Sequence, residues 1–399
     1  MASRARLLAV LLLLAAMLTG CWSRIELNDL GIVLGMAVDV GEADAIRLTL
    51  AMPRPLPQQE KGGSPAVQEP VWVVAREARN FTDALGFIRM ASARRLVFHH
   101  LRVVLISEEY ARKYGVGDVL DTLTTDQQIR LTVRPFVVEG RAQEVLETVP
   151  QLRPFQPTNL IGILHARGGA EWRLKNVMVA RASETHTMWM PVVRVIQRPA
   201  MTDQSPPTAV ELSGAALFRR DYLQRIVHQP EYQVLPWFVG NPVGATISAP
   251  CPDPDKGTFS ATVLSGKVRI RPEMRDNQVA FRVEVTGQLN LARSQCGLGK
   301  VEAPESRRVL EEAMADDLRV RVERFIATLQ ESGTDPVGFG KMAQLAFPTY
   351  FKNLHHRWLE EWQRAPVTVV ARVIITQSGL STAPAHPTER ELQDQEKQH

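Results

Sequence analysis

The sequence predicts an α+β fold with more than one domain: a mixed sheet-and-helix region, then a domain with a largely antiparallel sheet packed by long helices. Strand and helix patterns alternate between residues 71 and 149, which indicates layers of sheet and helix. Apolar and polar residues alternate over residues 279–286, the pattern of a half-buried antiparallel strand. A chain of 399 residues is long enough for two or three domains.

The first twenty residues have the features of a secretory signal peptide. Arg4 and Arg6 form a basic start, and residues 7–18 are an uncharged apolar stretch too short to cross a bilayer. Leu18-Thr19-Gly20-Cys21 follows and resembles the bacterial lipobox, which implies cleavage before Cys21 and diacylglycerol on its thiol. We therefore expect residues 1–20 to be removed and the mature chain to be lipid-anchored on the outer face of the cell membrane. The alternative is an ordinary secretory signal with a chance cysteine.

The N-terminal domain is expected over residues 21–198, with residues 199–209 as the linker that follows it. Asn80 and Asp83 are placed to cap a helix in which Leu85 and Ile88 share one face. Strands are predicted at 32–39, 46–52, 71–75, 101–106, 131–138 and 190–196, helices after Asn80 and at 108–114, 119–123, 142–149, 158–165 and 174–182, and a surface loop at 53–70.

The C-terminal domain is expected over residues 210–380, before a polar tail at 381–399 with the composition of a disordered segment. Residues 304–329 have the apolar spacing of an amphipathic helix, and Gly333 suits its exit. The other predicted elements are a strand at 212–218, an antiparallel pair within 258–291 joined by a connection at 272–277, a helix from Gly340 that Pro348 interrupts and that resumes to Trp362, and a strand at 367–376.

Few residues carry a recognisable chemistry. The net charge is +4 without a dense basic run, so nucleic-acid binding is not predicted. The histidine pairs His99-His100 and His355-His356 are the obvious metal ligands, but adjacent side chains point in different directions and no ligand cluster accompanies them. The sequence therefore predicts no catalytic, cofactor-binding or metal-binding residues, and a protein that is not an enzyme.

Two cysteines remain besides Cys21. Cys251 and Cys296 both lie in surroundings rich in proline or glycine, and a secreted compartment permits a disulfide between them. Two independent free thiols are the alternative.

The order of several motifs resembles the Ger(x)C family, the C subunits of spore germinant receptors. The resemblance begins at the mature N-terminus and extends over nearly the whole mature chain. It rests on residues 21–33 (Cys-Trp-Ser-Arg-Ile-Glu-Leu-Asn-Asp-Leu-Gly-Ile-Val), residues 93–101 and 107–111, residues 214–218 with Asp221-Tyr222-Leu223, and the turn Asp335-Pro336-Val337-Gly338-Phe339-Gly340 followed by Trp358. Thr125-Asp126 departs from the Arg-Asp that the family usually has, and Cys251 and Cys296 are not features expected of it.

The resemblance implies a function that composition does not reach. Family members act with two integral-membrane subunits, A and B, in the spore inner membrane, where the complex senses nutrients and starts germination. No catalytic residues are known for the family, so only Cys21 transfers as a functional position. The alternatives are a solute-binding lipoprotein of a transporter, against which the antiparallel pattern at 258–291 argues, and a lipid-anchored envelope enzyme.

The Gly-Phe-Gly turn allows two interpretations. Gly338 and Gly340 are predicted to occupy backbone positions that a side chain would disturb, and Phe339 to fill the core. The alternative is a loop that contacts a ligand.

Overall fold

The computed structural model describes residue 26 and residues 29–42, 45–53, 71–148, 160–162, 172–197, 208–240, 242–276, 278–297, 303–352 and 354–378. The predicted signal peptide, Cys21, nearly all of the 53–70 loop, most of the 158–165 helix and the 381–399 tail lie outside these residues. Within the described ranges, no helix is long and apolar enough to cross a bilayer.

The first half of the chain is built on one large sheet. The strands described up to residue 228 are β1 (Leu30–Ile32), β2 (Gly35–Val40), β3 (Ile46–Pro53), β4 (Val71–Ala78), β5 (Arg95–Val97), β6 (Val103–Ser107), β7 (Arg134–Glu139), β8 (Trp189–Gln197), β9 (Thr208–Arg219) and β10 (Tyr222–His228). Eight of them form a sheet in the order β10-β9-β8-β7-β6-β2-β3-β4, and β1 pairs with β5 separately. The central pairs among β8, β7, β6 and β2 are parallel, and the flanking pairs are antiparallel.

Five helices accompany this sheet in the described part of the first half: α1 (Phe81–Ala91), α2 (Glu108–Lys113), α3 (Gly117–Thr125), α4 (Ala142–Glu147) and α5 (Leu174–Arg181). The predicted cap of α1 is confirmed, because the backbone N–H of Asp83 donates to the Asn80 side chain at 2.8 Å. The start of α4 is capped from the sheet instead. Asp39 of β2 is buried and accepts the backbone N–H groups of Ala142 and Gln143 at 2.7 and 3.0 Å.

The large sheet extends across the segment predicted as the interdomain linker. β9 pairs antiparallel with β8, and β10 pairs with β9, so two strands from beyond residue 207 complete the sheet of the first half. Thr208 and Ala209, which the sequence places in the linker, are the first residues of β9. Gly214 in this strand has no space for a side chain, since a Cβ would collide with the carbonyl oxygen of Val227 in β10.

The second half has a smaller sheet with helices against it. The elements are α6 (Leu235–Val239), β11 (Thr246–Pro250), β12 (Thr258–Arg275), β13 (Gln278–Ser294), α7 (Pro304–Glu331), α8 (Phe339–Ala346), α9 (Pro348–Phe351), α10 (Trp358–Trp362) and β14 (Val367–Ser378). The strand order is β11-β12-β13-β14, with two antiparallel pairs and a parallel β13–β14 pair. The predicted α+β, multidomain class is confirmed.

The connection between β12 and β13 is shorter than predicted. Residues 272–275 were expected in the turn, but they continue β12 as far as Arg275, and Pro272 pairs with Phe281. A proline is tolerated there because β11 pairs only with residues 258–262, so this part of β12 is an edge whose open side needs no N–H donor. The apolar stripe of α7 is buried as predicted, at Leu310, Met314, Leu318, Val322, Phe325 and Leu329.

Candidate interdomain site

The junction between the two halves is organised by the buried carboxylate of Asp335. Its Oδ1 accepts the backbone N–H groups of Gly338 and Phe339 at 2.8 and 2.9 Å, and Oδ2 accepts that of Gly340 at 2.7 Å. The indole Nε1 of Trp358 also donates to Oδ2, at 3.3 Å. The side chain thus satisfies the N–H groups at the start of α8, where an anion is favoured by the helix dipole.

The backbone of Asp335 forms two hydrogen bonds with Thr187 in the first half of the chain. The N–H of Asp335 donates to the Thr187 hydroxyl at 2.9 Å, and the N–H of Thr187 donates to the carbonyl oxygen of Asp335 at 2.9 Å. Thr187 lies two residues before the start of β8, and both Thr187 and Asp335 are buried. One aspartate therefore joins the start of a C-terminal helix to a strand of the large sheet.

The two glycines of the turn are required for different reasons. Gly338 has φ of +87°, a left-handed conformation that L side chains rarely adopt. A Cβ at Gly340 would lie 2.7 Å from Cε2 of Trp358 and 2.8 Å from Cβ of Thr185, so a side chain would push the two halves apart. The prediction that a side chain would disturb these positions is confirmed.

Phe339 fills the core beneath the turn, as predicted. It is fully buried, stacks on Trp362 with ring centroids 4.3 Å apart, and meets the edge of Phe281 at 5.0 Å. Trp358 belongs to the same cluster, with its ring centroid 6.1 Å from that of Phe281. The burial of the ring favours the core interpretation of Phe339 over the ligand-contact loop.

A second connection between segments is built around Asp221, in the turn between β9 and β10. Its carboxylate accepts two hydrogen bonds from the Arg181 guanidinium, at 2.8 and 2.9 Å, and its carbonyl oxygen accepts the N–H of Val116 at 2.8 Å. Arg181 also pairs with Asp121 of α3. These bonds raise the pKa of Arg181 and lower the pKa of Asp121, because each partner favours the charged form of the other.

A polar cavity of about 760 Å³ lies between these two connections. Its walls come from the segment after α5, from the β9–β10 turn and from the start of α10. Both signs of charge line it, for example Arg219 and Arg220 against Glu184 and Glu360. Ligand pockets are lined mainly by apolar and aromatic side chains, so this wall suits a polar occupant or solvent better than a tightly bound small molecule.

Two titratable groups at the junction are shifted in opposite directions. Burial raises the pKa of Asp335 from 3.8 to about 6, although the hydrogen bonds from the turn act the other way. Burial, with a smaller effect from Lys341, lowers the pKa of His186 from 6.5 to about 4. His186 is therefore neutral at pH 7, where Asp335 is mostly ionised.

The structure answers some of the questions that the sequence leaves open about individual residues. Cys251 and Cys296 are joined by a disulfide, with Cα atoms 5.3 Å apart. His99 and His100 are exposed in a turn, and Nδ1 of His99 is 3.1 Å from the carbonyl oxygen of Gln128. Over the described ranges, no group of three histidine, cysteine or acidic residues could hold a metal ion.

Sequence reasoning missed most of the junction. It singled out Asp335 and Asp221 as parts of motifs but assigned no role to Thr187, Arg181 or Asp121. Each of these acts on a partner at least 40 residues away, and a single sequence carries no signal for such a pair.

Comparisons with known proteins agree with this architecture. The family model described as "Spore germination protein N-terminal domain" matches residues 23–195, and "Spore germination B3/ GerAC like, C-terminal" matches residues 213–379. Spore germination protein KC of Bacillus subtilis (strain 168) is 24% identical over 401 residues, which cover 95% of this chain and 97% of that protein. Putative spore germination protein YfkR of the same organism is 26% identical over 393 residues, covering 92% and 95%.

One solved structure shares the fold. The crystal structure of the GerBC protein superposes with a TM-score of 0.55, at 17% identity, over 86% of this chain and 96% of that chain. The two successive domain matches define a GerC-type spore germination protein. The chain belongs to the Ger(x)C family.

Proposed function

We propose that this protein is the lipid-anchored C subunit of a nutrient germinant receptor. The observation that supports this most directly is the succession of both family matches over residues 23–195 and 213–379, directly behind the lipobox that ends at Cys21. In this proposal the mature chain is tethered to the outer face of the spore inner membrane by acyl chains on Cys21. It acts through contacts with the A and B membrane subunits, without catalysis.

The junction is consistent with a role in protein contacts. Asp335 and Thr187 exchange two hydrogen bonds across the halves, and the large sheet includes strands from both sides of residue 198. A chain whose halves are held in this way presents one continuous surface to its partners.

The anchor is tested by Cys21→Ala. Without the thiol no diacylglycerol can be attached, so the variant should remain uncleaved or be released, and germination should weaken. Labelled palmitate and membrane fractionation measure this directly, with Ser23→Ala as the control that keeps the lipobox. A Cys21→Ala protein that still carries labelled lipid contradicts the proposed anchor.

The receptor role is tested by deletion in a strain in which this receptor is the only one left. Nutrient-triggered germination should be lost, whereas germination triggered by lysozyme or pressure should change little because it need not pass through a nutrient receptor. The protein should also co-purify with the A and B subunits from spore membranes. Normal germination of the deletion strain on every nutrient of the intact receptor contradicts the proposal.

A solute-binding lipoprotein of a transporter is the second candidate, and the cavity of about 760 Å³ is the observation that favours it. Its strongly charged wall and the antiparallel β12–β13 pair argue against it. Neighbouring genes separate the two. A receptor subunit should lie beside one gene with several membrane helices and one transporter-like gene, and a solute-binding protein beside a permease and an ATPase.

A further inference from the structure

The outer surface of the smaller sheet carries an excess of positive charge. Along β12 the outward residues alternate from Lys267 to Arg275, and the register of the sheet places β13 and β14 residues beside them on the same surface. We call this surface the basic face, defined by the cations Lys267, Arg269, Arg271, Arg275, Arg282 and Arg372.

Two carboxylates oppose these six cations. Glu284 pairs with Arg271 at 3.2 Å, and Glu273 pairs with Arg275 and Arg282 at 2.6 and 3.0 Å. Lys267, Arg269 and Arg372 have no ion pair within the part of the chain that the structure describes. The basic face therefore keeps a net positive charge that its own acidic residues do not neutralise.

The inner surface of this sheet is covered, whereas no residue that the structure describes covers the basic face. Trp237 packs where Cβ atoms of Gly266 and Gly287 would be, and Phe281, Val283 and Val285 are buried on the same inner side. On the outer side, Lys267, Arg269, Arg271 and Arg372 are all exposed. An uncovered, extended sheet surface with spread cations has no pocket to select a small anion, so it fits a broad anionic surface.

Apolar side chains lie within the same region. Ile374 is 56% exposed on the outer side of β14, next to Arg372, and Leu264 is 43% exposed at the bulge where the basic part of β12 begins. Large apolar groups among cations suit the boundary between lipid headgroups and acyl chains.

We infer that the basic face docks on anionic phospholipid headgroups. Our choice of a bilayer over an acidic protein rests on the proposed lipid anchor, because a tethered domain meets the membrane at high effective concentration and needs only weak attraction to lie against it. A basic cluster is also the usual second signal that accompanies a lipid chain. The tethered domain would then lie on the membrane in one orientation.

The test uses the mature chain from residue 21 with Cys21→Ser, so that no acyl chain can contribute. The protein is sedimented with vesicles of pure phosphatidylcholine or of phosphatidylcholine containing phosphatidylglycerol, at 50 and 500 mM NaCl. We expect binding to the anionic vesicles only, and its loss at high salt. The variant Lys267→Gln/Arg269→Gln/Arg372→Gln should bind about 100-fold more weakly, at roughly fivefold for each cation.

A matched variant, Arg94→Gln/Lys175→Gln/Arg324→Gln, removes the same charge from exposed positions elsewhere. It should bind as the parent does, and both variants should have the thermal unfolding of the parent. Equal loss in both variants, or no binding of the parent to anionic vesicles, overturns the inference. Binding of the parent to polyglutamate but not to anionic vesicles also overturns it, in favour of an acidic protein partner. None of these results depends on Cys21 lipidation or on germination, so failure of the receptor proposal would be seen separately.

Discussion

Asp39 and Asp335 solve the same structural problem in the two halves of the molecule. Each is a buried carboxylate whose pKa is raised by burial, and each accepts the N–H groups at the start of a helix. Asp39 reaches its helix from a strand more than 100 residues earlier and attaches α4 to the sheet. Asp335 lies three to five residues before the groups that it caps, and its backbone carries the long-range contact instead. The same kind of cap thus attaches a helix to the sheet in the first half, and in the second half it orders the turn whose backbone contacts the first half.

Asp335→Ala is the largest expected disruption. It would leave the N–H groups of Gly338, Phe339 and Gly340 without their acceptor in a fully buried place. We expect a loss of about 3–5 kcal/mol in the free energy of unfolding, measured by denaturant titration of the mature chain with Cys21→Ser. A loss below 1 kcal/mol would show that the turn is not stabilised by this carboxylate.

Phe339→Ala tests how much the side chain at the start of α8, next to the Asp335 cap, contributes to the core. The ring is fully buried against Trp362 and Phe281, so its removal should cost about 3–5 kcal/mol, comparable to Asp335→Ala. Phe87→Ala is the matched control, because its ring is 45% exposed and should cost little. A Phe339→Ala protein of normal stability that loses germination alone would favour a ligand-contact role for this turn.

The pH dependence of stability should separate Asp335 from His186. Because the folded-state pKa of Asp335 is raised to about 6, its contribution to stability falls as the pH rises from about 4 to 6. The pKa of His186 is lowered to about 4, so its contribution rises between pH 4 and 6.5. The two effects, each about 3 kcal/mol, should nearly cancel in the parent. Asp335→Asn should leave a stability that increases with pH, and His186→Gln one that decreases, and two parallel curves would refute these assignments.

The disulfide gives the second half a covalent cross-link for which the described first half has no counterpart. Cys251 follows β11 and Cys296 follows β13, 45 residues apart. Cys251→Ser with Cys296→Ser should lower stability by about 2–4 kcal/mol. Mass spectrometry of the unreduced parent should find the bridged peptide, whereas two free thiols would contradict the bond.

Asp39→Ala is expected to have the smallest effect of the series, about 1–2 kcal/mol. It leaves two helix N–H groups without an acceptor, whereas Asp335→Ala leaves three backbone N–H groups and an indole N–H without one. If Asp39→Ala lowers stability as much as Asp335→Ala does, the two caps do not differ in importance as proposed.

Sequence patterns predicted those features whose causes are local. The Asp335 turn could be recognised because its members lie within six residues, and the burial of Phe281 and Val283 followed from simple alternation. The turn after β12 was misplaced because Pro272 indicates a turn unless the strand is known to be an edge. The cap from Asp39 and the Arg181–Asp221 pair could not be predicted, since nothing local to either residue identifies the partner.

The large sheet extends beyond the first family match, because residues 208–228 contribute two of its strands. Synthesis runs from the N-terminus, and a nascent chain that has reached the end of the first family match at residue 195 has made all but two residues of β8. It has made neither β9 nor β10, which lie beyond β8 in the sheet. An unpaired β8 is then an open edge that can template pairing with other chains. The large sheet can close only after His228 has emerged, so the beginning of the second match protects the first from misassembly.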